Sequence, residues 1–263
     1  MTDQDGTDVR IAVREAVMEV TLANPGSRNA QTPATWRRLA AAEDALTPEV
    51  RTIVLRGEGP SFSAGLDRRM LSPDGVPGEM SLLSLAAQSD EEVDGFIRQA
   101  QAAFTWWRKV PQVSIALVHG HAIGAGFQLA LACDLMIVAE DAKLAMRETS
   151  LGLVPDLGGT GPLVDRVGYS RALEICATGR FVGADEAVAI GLAVMKAPVE
   201  EWDAVVEVLS GPIYAALPNA VGELKALLDG AGRATDQIAR ERAAQIRRLR
   251  ELASLFSVDA RNS

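Results

Sequence analysis

The chain has 263 residues, 48% hydrophobic and only 5% aromatic, with a formal net charge of -9. That length allows one large domain or two small ones around a substantial core, mostly Ala, Leu, Val and Ile. The acidic balance excludes a general nucleic-acid binder, which carries a basic field, and two cysteines, Cys133 and Cys176, are no disulfide framework and point to a reducing, cytoplasmic setting.

The N-terminus "MTDQDGTDVR" is polar and acidic and does not read as a signal peptide. After it, "VRIAVREAVMEVTLAN" alternates apolar and polar residues over two short runs, which predicts a strand hairpin. Thr32 as N-cap and Pro33 at the first helical position predict a helix over "TPATWRRLAAAEDAL". "RTIVLRG" is a short strand that runs into the glycine-punctuated loop "GEGPSFSAGLD". Residues 70–90 are irregular and rich in Ser, Gly and Pro, the kind of segment that covers a pocket. "EEVDGFIRQAQAAFTWWRKV" is an amphipathic helix; Trp106 and Trp107, adjacent on it, are expected to face different ways, one into the core or a subunit contact and one free to line a pocket.

"QVSIALVHG" reads as a strand, "GAGFQLALACD" as a helix, "LMIVAE" and "AKLAM" as strands. Asp134, between helix and strand, reads as structural. Gln128 and Asp134 interrupt the longest apolar run, so no segment reaches the roughly 18 residues of a membrane span. From about residue 158 the pattern is helical. "GTGPLVDRVG", "SRALEICATG" and "ADEAVAIGL" are short helices ended by glycines, and three longer ones follow to about residue 255. Strands first and helices later predict an α/β core over residues 1–200 and a helical region over 201–263, rather than a Rossmann alternation.

Several familiar signatures are missing. "GHAIGAG" lacks the G-x-G-x-x-G spacing, and there is no G-K-[ST] of a P-loop and no G-x-S-x-G elbow. The only histidines, His119 and His121, read as two apart on one strand, facing the same way, with no further metal ligands in evidence. No metal site is expected, and the chemistry falls to carboxylates and backbone amides.

The segments "NPGSRNA", "GEGPSFSAGLD", "HGHAIGAGFQLALACDLMIVAEDAKLAM" and "LGLVPDLGGTGPLVDRVGYSRALEICATGRFVGADEAVAIGLA" occur in that order. Together they resemble the enoyl-CoA hydratase/isomerase (crotonase) superfamily over roughly residues 10–195. The resemblance implies an α/β fold, a spiral of β-β-α units with a C-terminal helical trimerisation region. It also implies an acyl-CoA thioester as partner, no cofactor beyond the coenzyme A of the substrate, and a homotrimer or dimer of trimers. Relatives commonly continue past "RRLRELASLFSVDARNS" with a helix that closes over the adenine, so the resemblance leaves the adenine pocket open.

In such an enzyme a thioester that loses its α-proton becomes an enolate, whose oxygen needs fixed donors. Glycine-flanked amides serve, because no side chain blocks the approach. By resemblance the donors are the N–H groups of Ala64 in "SAGLD" and of Ala125 in "GAGFQ", the latter at a helix start that favours an anion. The stretch Ser63, Ala64, Gly65, Leu66 and Asp67 would run along the coenzyme A, with Gly124 beside it. Arg28, Arg68 and Arg69 are candidates for its phosphates.

Family hydratases use two glutamates. One position is Gln128 here, the other Glu148. Gln128 can hold a water by hydrogen bonding but cannot take its proton, which disfavours hydration of a 2-enoyl thioester. Moving a double bond from the 3,4 to the 2,3 position needs one base, and Glu148 resembles the lone glutamate of the Δ3-Δ2-enoyl-CoA isomerase branch. Burial among "LAM" and "LGLV" is expected to raise its pKa. Asp156 stands where the dienoyl-CoA isomerase branch has an aspartate; it also reads as the N-cap of the helix opening at "LGGTGPL". The expectation is an enoyl-CoA isomerase. A hydratase, a dienoyl-CoA isomerase using Glu148 and Asp156, and a non-catalytic acyl-CoA-binding protein stand as alternatives.

Overall fold

The computed structural model describes residues 8–229, 231 and 236–259. Residues 1–7 and 260–263, which carry most of the polar N-terminus and the last residues of the chain, lie outside the described residues.

Strands β1 (Val9–Arg14) and β2 (Val17–Leu22) form the expected antiparallel hairpin. Helix α1 (Pro33–Ala41) starts where the sequence places it. The Thr32 hydroxyl accepts the Thr35 N–H, and the Thr35 hydroxyl accepts the Thr32 N–H, a reciprocal cap that satisfies two otherwise orphaned donors. Strand β3 (Thr52–Gly57) follows, and the irregular 70–90 segment holds the end of a 3-10 turn (Arg68–Leu71) and the short helix α2 (Leu82–Leu85). Helix α3 (Asp90–Thr105) opens on a Ser89/Glu92 capping box. It stops before the tryptophan pair, and this corrects the expectation that the two face different ways. At the end of the helix, Trp106 and Trp107 stack at 4.1 Å between ring centroids, and both are buried. Each indole N–H is satisfied, by the carbonyls of Leu39 and Ala103.

The remaining elements are β4 (Val113–Val118), β5 (His121–Ile123), α4 (Ala125–Ala132), β6 (Leu135–Val138), β7 (Lys143–Ala145), α5 (Thr160–Val167), α6 (Tyr169–Thr178), β8 (Val182–Gly183), α7 (Ala184–Ala189), β9 (Met195–Lys196), α8 (Trp202–Ala215), α9 (Pro218–Leu228) and α10 (Gln237–Asp259). Six strands pair in the order β1-β2-β3-β4-β6-β9, parallel after the first hairpin; a smaller sheet has the order β5-β7-β8. Strands β4 and β6 lie in the large sheet, and their immediate successors β5 and β7 lie in the small one, so the chain winds as a spiral of β-β-α turns. Two isolated bridges, Gln31 with Leu66 and Ser63 with Ala122, carry the second layer back into the first turns. Those bridges fix the 61–67 loop beside β5.

Gly120, at φ 54°, breaks the chain between β4 and β5. His119 and His121 therefore do not share one strand, as the sequence suggests. His119 donates through Nε2 to the Gly59 carbonyl and meets Trp202 edge-on, while His121 meets Phe181.

The C-terminal helices are tied down by burial and by charge. Trp202 and Val206 of α8 pack on Val54, Ile115, Leu117 and Ile137 of the large sheet. Lys225 of α9 reaches inward to the carbonyls of Trp107 and Gln112 and to Asp134 Oδ2, 2.7 Å away. The same oxygen accepts the Ser114 N–H and hydroxyl, so Asp134 is structural. Among the described residues no single helix is long and apolar enough to cross a membrane.

Candidate active site

The site forms where three segments meet: the 61–67 loop, the start of α4, and the residues from Glu148 to Gly159. Asn29 shapes the first. Its buried side-chain N–H₂ serves the carbonyls of Glu58, Ser61 and Phe62, and both Arg28 and Asn29 adopt left-handed backbone at φ 55°. Ser63 is fully buried, with its hydroxyl donating to the Asn29 carbonyl and accepting the Gly65 N–H and the Gln31 amide. It builds the loop and does not face a ligand, contrary to its expected place along the substrate.

The first backbone donor also needs correction. The Ala64 N–H is already engaged with the Arg28 carbonyl at 2.8 Å, so it has nothing left to give an oxyanion. The Gly65 and Asp67 N–H groups are likewise used, by Ser63 Oγ and the Gln31 carbonyl. Leu66 is the exception in this stretch: its N–H makes no hydrogen bond. The reason is the bridge to Gln31, in which alternate backbone groups of the loop point to opposite sides. Gly65, at φ 84°, lies so near β5 that a Cβ would collide with the Ile123 carbonyl and stand 3.4 Å from the Ala125 nitrogen. Across this contact from Leu66, Ala125 opens α4 with its N–H unpaired, as the first donors of a helix are. The sequence marks both residues by their glycine neighbours, but only the pairing shows which amide is free.

The arginines divide. Arg69 folds back on Asp67, bonding both carboxylate oxygens, and Asp67 also caps the following turn through the Arg69 N–H. That pair holds the Asp67 carboxyl below its usual range. Arg69 is therefore committed within the chain, and so is Asp67. Arg28 and Arg68 are exposed.

Gly124, at φ 52°, sits under the carboxylate of Glu148: a Cβ there would be 3.3 Å from Oε1. Glu148 is half-buried and its two oxygens differ. Oε1 accepts the Gln128 Nε2–H at 2.7 Å, whereas Oε2 is buried with no hydrogen-bond partner. Burial pushes the carboxyl above its ordinary pKa; nearby backbone N–H groups and the Gln128 amide pull it down, and the charge of Asp156 adds to the rise. Arg147 is not an ion-pair partner, since its guanidinium lies over the Phe181 ring.

Gln128 is buried within the all-apolar helix α4. Its Oε1 accepts the N–H groups of Leu157, at 3.0 Å, and Gly159, at 3.3 Å. Both lone pairs are thus used, and the expected role of holding water as an acceptor is closed to it. Gly159 lacks a side chain at the point where one would strike the Gln128 stem.

Asp156 does not cap α5. That helix begins at Thr160 with Gly159 at the cap position, and no side chain serves it. Gln101 of α3 instead donates to the Asp156 carbonyl at 2.7 Å, pinning the backbone. Asp156 is exposed as a whole residue, yet its surroundings desolvate the carboxyl enough to raise its pKa. Gln101 is a site contact that no sequence pattern marks, because nothing local connects residues 55 positions apart.

A spiral of β-β-α turns with unpaired amides and a half-buried carboxylate at the junction of its layers is a crotonase fold. The sequence profile of the enoyl-CoA hydratase/isomerase family matches residues 12–257, and the chain belongs to that family. It is 34% identical to a Bacillus subtilis (strain 168) protein named "Probable enoyl-CoA hydratase", over 70% of this chain and 67% of that protein. It is 35% identical to the peroxisomal Delta(3,5)-Delta(2,4)-dienoyl-CoA isomerase of Arabidopsis thaliana over 55% of this chain and 51% of that protein, so it spans only about half the length of this relative. A Thermobifida fusca YX structure solved in complex with acetoacetyl-CoA is 43% identical, covers 93% of this chain and 95% of its own, and superposes with a TM-score of 0.86.

Proposed function

We propose that the protein is an enoyl-CoA isomerase that moves a double bond from the 3,4 to the 2,3 position of an acyl-CoA thioester, with Glu148 as its single base. The observation that carries this reading is the asymmetry of the Glu148 carboxylate. Oε1 is held by Gln128, and Oε2 is buried and unpaired, with the carboxylate over Gly124. Glu148 Oε2 takes the α-proton, and the C–H electron pair moves into the thioester to form an enolate. The oxygen of that enolate is received by the N–H groups of Leu66 and Ala125, fixed dipoles that cost no reorganisation. The protonated Glu148 then returns its proton at the γ-carbon, and the double bond ends in conjugation with the carbonyl. No net proton is gained or lost, and no cofactor is required beyond the coenzyme A of the substrate. Arg28 and Arg68 are the candidates left for its phosphates.

Hydration needs a second group that accepts a proton or positions water by accepting from it. Gln128 has no acceptor capacity left, which favours isomerisation over hydration. A dienoyl-CoA isomerase reading has its own support. Asp156 makes no cap, carries a desolvated carboxyl and acts electrostatically on Glu148. The complexes of a relative with acetoacetyl-CoA and with CoA support an acyl-CoA substrate here. Exposed Val208, Leu228 and Ile238 on α8–α10 suit a cytoplasmic homotrimer or dimer of trimers, and a monodisperse monomer in light scattering would speak against that assembly.

The test is turnover of 2-enoyl-, 3-enoyl- and 3,5-dienoyl-CoA thioesters by the wild type and by Glu148→Gln. Isomerisation of the 3-enoyl thioester that disappears in the variant supports the reading. Wild-type turnover confined to the 2-enoyl thioester would replace it with a hydratase, and dominant dienoyl turnover would favour the two-acid reading.

A further inference from the structure

We infer that Gln128 is a positioning residue: its side-chain amide clamps the base Glu148 to the loop that carries Asp156, and so decides which oxygen of Glu148 meets the substrate. The inference rests on the base role proposed for Glu148 and adds what orients that base. Three hydrogen bonds define the clamp. The carbonyl end of the amide accepts from Leu157 and Gly159. Those two donors leave only one way round for the amide, with Nε2 toward Glu148 Oε1 at 2.7 Å. A flipped amide would set N–H against N–H at one end and oxygen against carboxylate at the other. The clamp is seated rigidly, because Gln128 is buried in α4 and its stem packs against the bare Cα of Gly159. Gln101 holds the same loop from the other side through the Asp156 carbonyl.

Two consequences follow for the chemistry. Oε1 is bound by a neutral donor, leaving Oε2 as the one carboxylate oxygen without a partner. The clamp also acts on the protonation of Glu148, since a donor to the carboxylate favours the charged form. The other ionisable groups around Glu148 are few. Asp156 faces it from the loop ahead of α5, the Cys176 thiol stands near from α6, and Arg147 precedes it with its guanidinium turned to Phe181.

The same geometry makes the isosteric variant Gln128→Glu informative. One oxygen of the new carboxyl would accept the Leu157 and Gly159 N–H groups, which favour its ionised form. Its other oxygen would face Glu148 Oε1 at hydrogen-bond distance, so the two carboxyls must share a proton. Glu148, with one oxygen already buried and unpaired and its carboxyl raised by burial, keeps that proton.

The experiment titrates Glu148 directly by ¹³C NMR of protein labelled at the glutamate carboxyl carbon, assigned through Glu148→Gln, and follows isomerisation of 3-hexenoyl-CoA across pH. In Gln128→Glu the acidic limb of kcat should move up by about one pH unit or more, as expected for like carboxyls in contact, with KM little changed. In Gln128→Met, Glu148 should titrate higher than in the wild type. There kcat should fall about tenfold, the effect of losing one hydrogen bond to a charged group. Titration of Glu148 unchanged in both variants would overturn the clamp, whatever the substrate proves to be. Loss of wild-type turnover with a shifted titration would instead leave the clamp standing and remove the isomerase reading.

Discussion

Asp134 and Glu148 are both acids set against the apolar core, and the fold treats them in opposite ways. Asp134 is paired with a cation. One oxygen collects the Ser114 N–H, the Ser114 hydroxyl and the Lys225 ammonium, and the ensemble anchors α9 to the end of β4. Glu148 is half-served, with one oxygen bonded to a neutral amide and the other buried and bare. A buried charge that is fully paired is a structural joint, because removing a partner strands the rest. A buried carboxylate with an unused lone pair is held at a cost in stability, and that unused capacity is what proton transfer requires. Burial alone does not tell the two apart; the count of partners does.

The sharpest way to break the comparison is to neutralise each acid without changing its shape. Glu148→Gln should lower isomerisation by about 10² to 10⁴-fold, the usual contribution of a general base, with KM little affected. It should also stabilise the protein at neutral pH. The folded state holds the Glu148 proton more tightly than the unfolded chain does, since burial raises its pKa. Its contribution to stability is therefore full below the unfolded pKa and is lost as pH rises through the folded one. The melting temperature of the variant should exceed that of the wild type at pH 7, by about 2–4 °C for each kcal/mol relieved, and the difference should vanish in acid. The wild-type rate should fall on acidification through a pKa above the ordinary carboxylate range.

Asp134→Asn should do the reverse. The Lys225 ammonium would lose its counter-charge in a site where it is largely buried, at a cost of about 3 kcal/mol. Urea denaturation reads that loss directly. An unchanged midpoint would mean that Asp134 is not the joint its contacts describe.

Gly124→Ala probes the ground between the amides and the base. Gly124 has φ 52° and ψ -117°, which a side chain disfavours by about 1–3 kcal/mol. The added methyl would also press on Glu148 Oε1. The variant should lose stability and turnover together, checked by melting and by steady-state assay. Asp156→Asn is expected to be the mildest. With Gly159 at the cap position of α5, the substitution should change stability by no more than about 0.5 kcal/mol, as for a surface change. Any loss of dienoyl turnover would then be chemical rather than structural.

The hairpin, the Thr32–Pro33 helix start, the α4 segment and the helical C-terminal part were legible from local pattern, because caps and periodicity act within a few residues. Glu148 was legible for a similar reason: one charge in an apolar run stands out. The sequence by itself thus determined the family and the order of elements, and it singled out Glu148 as the candidate base. It did not determine which amide beside a glycine is free. Ala64 and Leu66 are equally marked in "SAGLD", and only the bridge to Gln31 consumes alternate N–H groups and leaves Leu66 open. Nor did it show that Trp106 and Trp107 stack, since that depends on where α3 stops. The partners of Gln128 and the absence of a cap from Asp156 likewise appear only in three dimensions. Gln128 bonds backbone 29 and 31 residues away, a contact that no local propensity signals. Hydrogen-bond capacity is consumed by partners brought together through the fold, so the side chains and amides that remain available for chemistry are known only once those partners are in place.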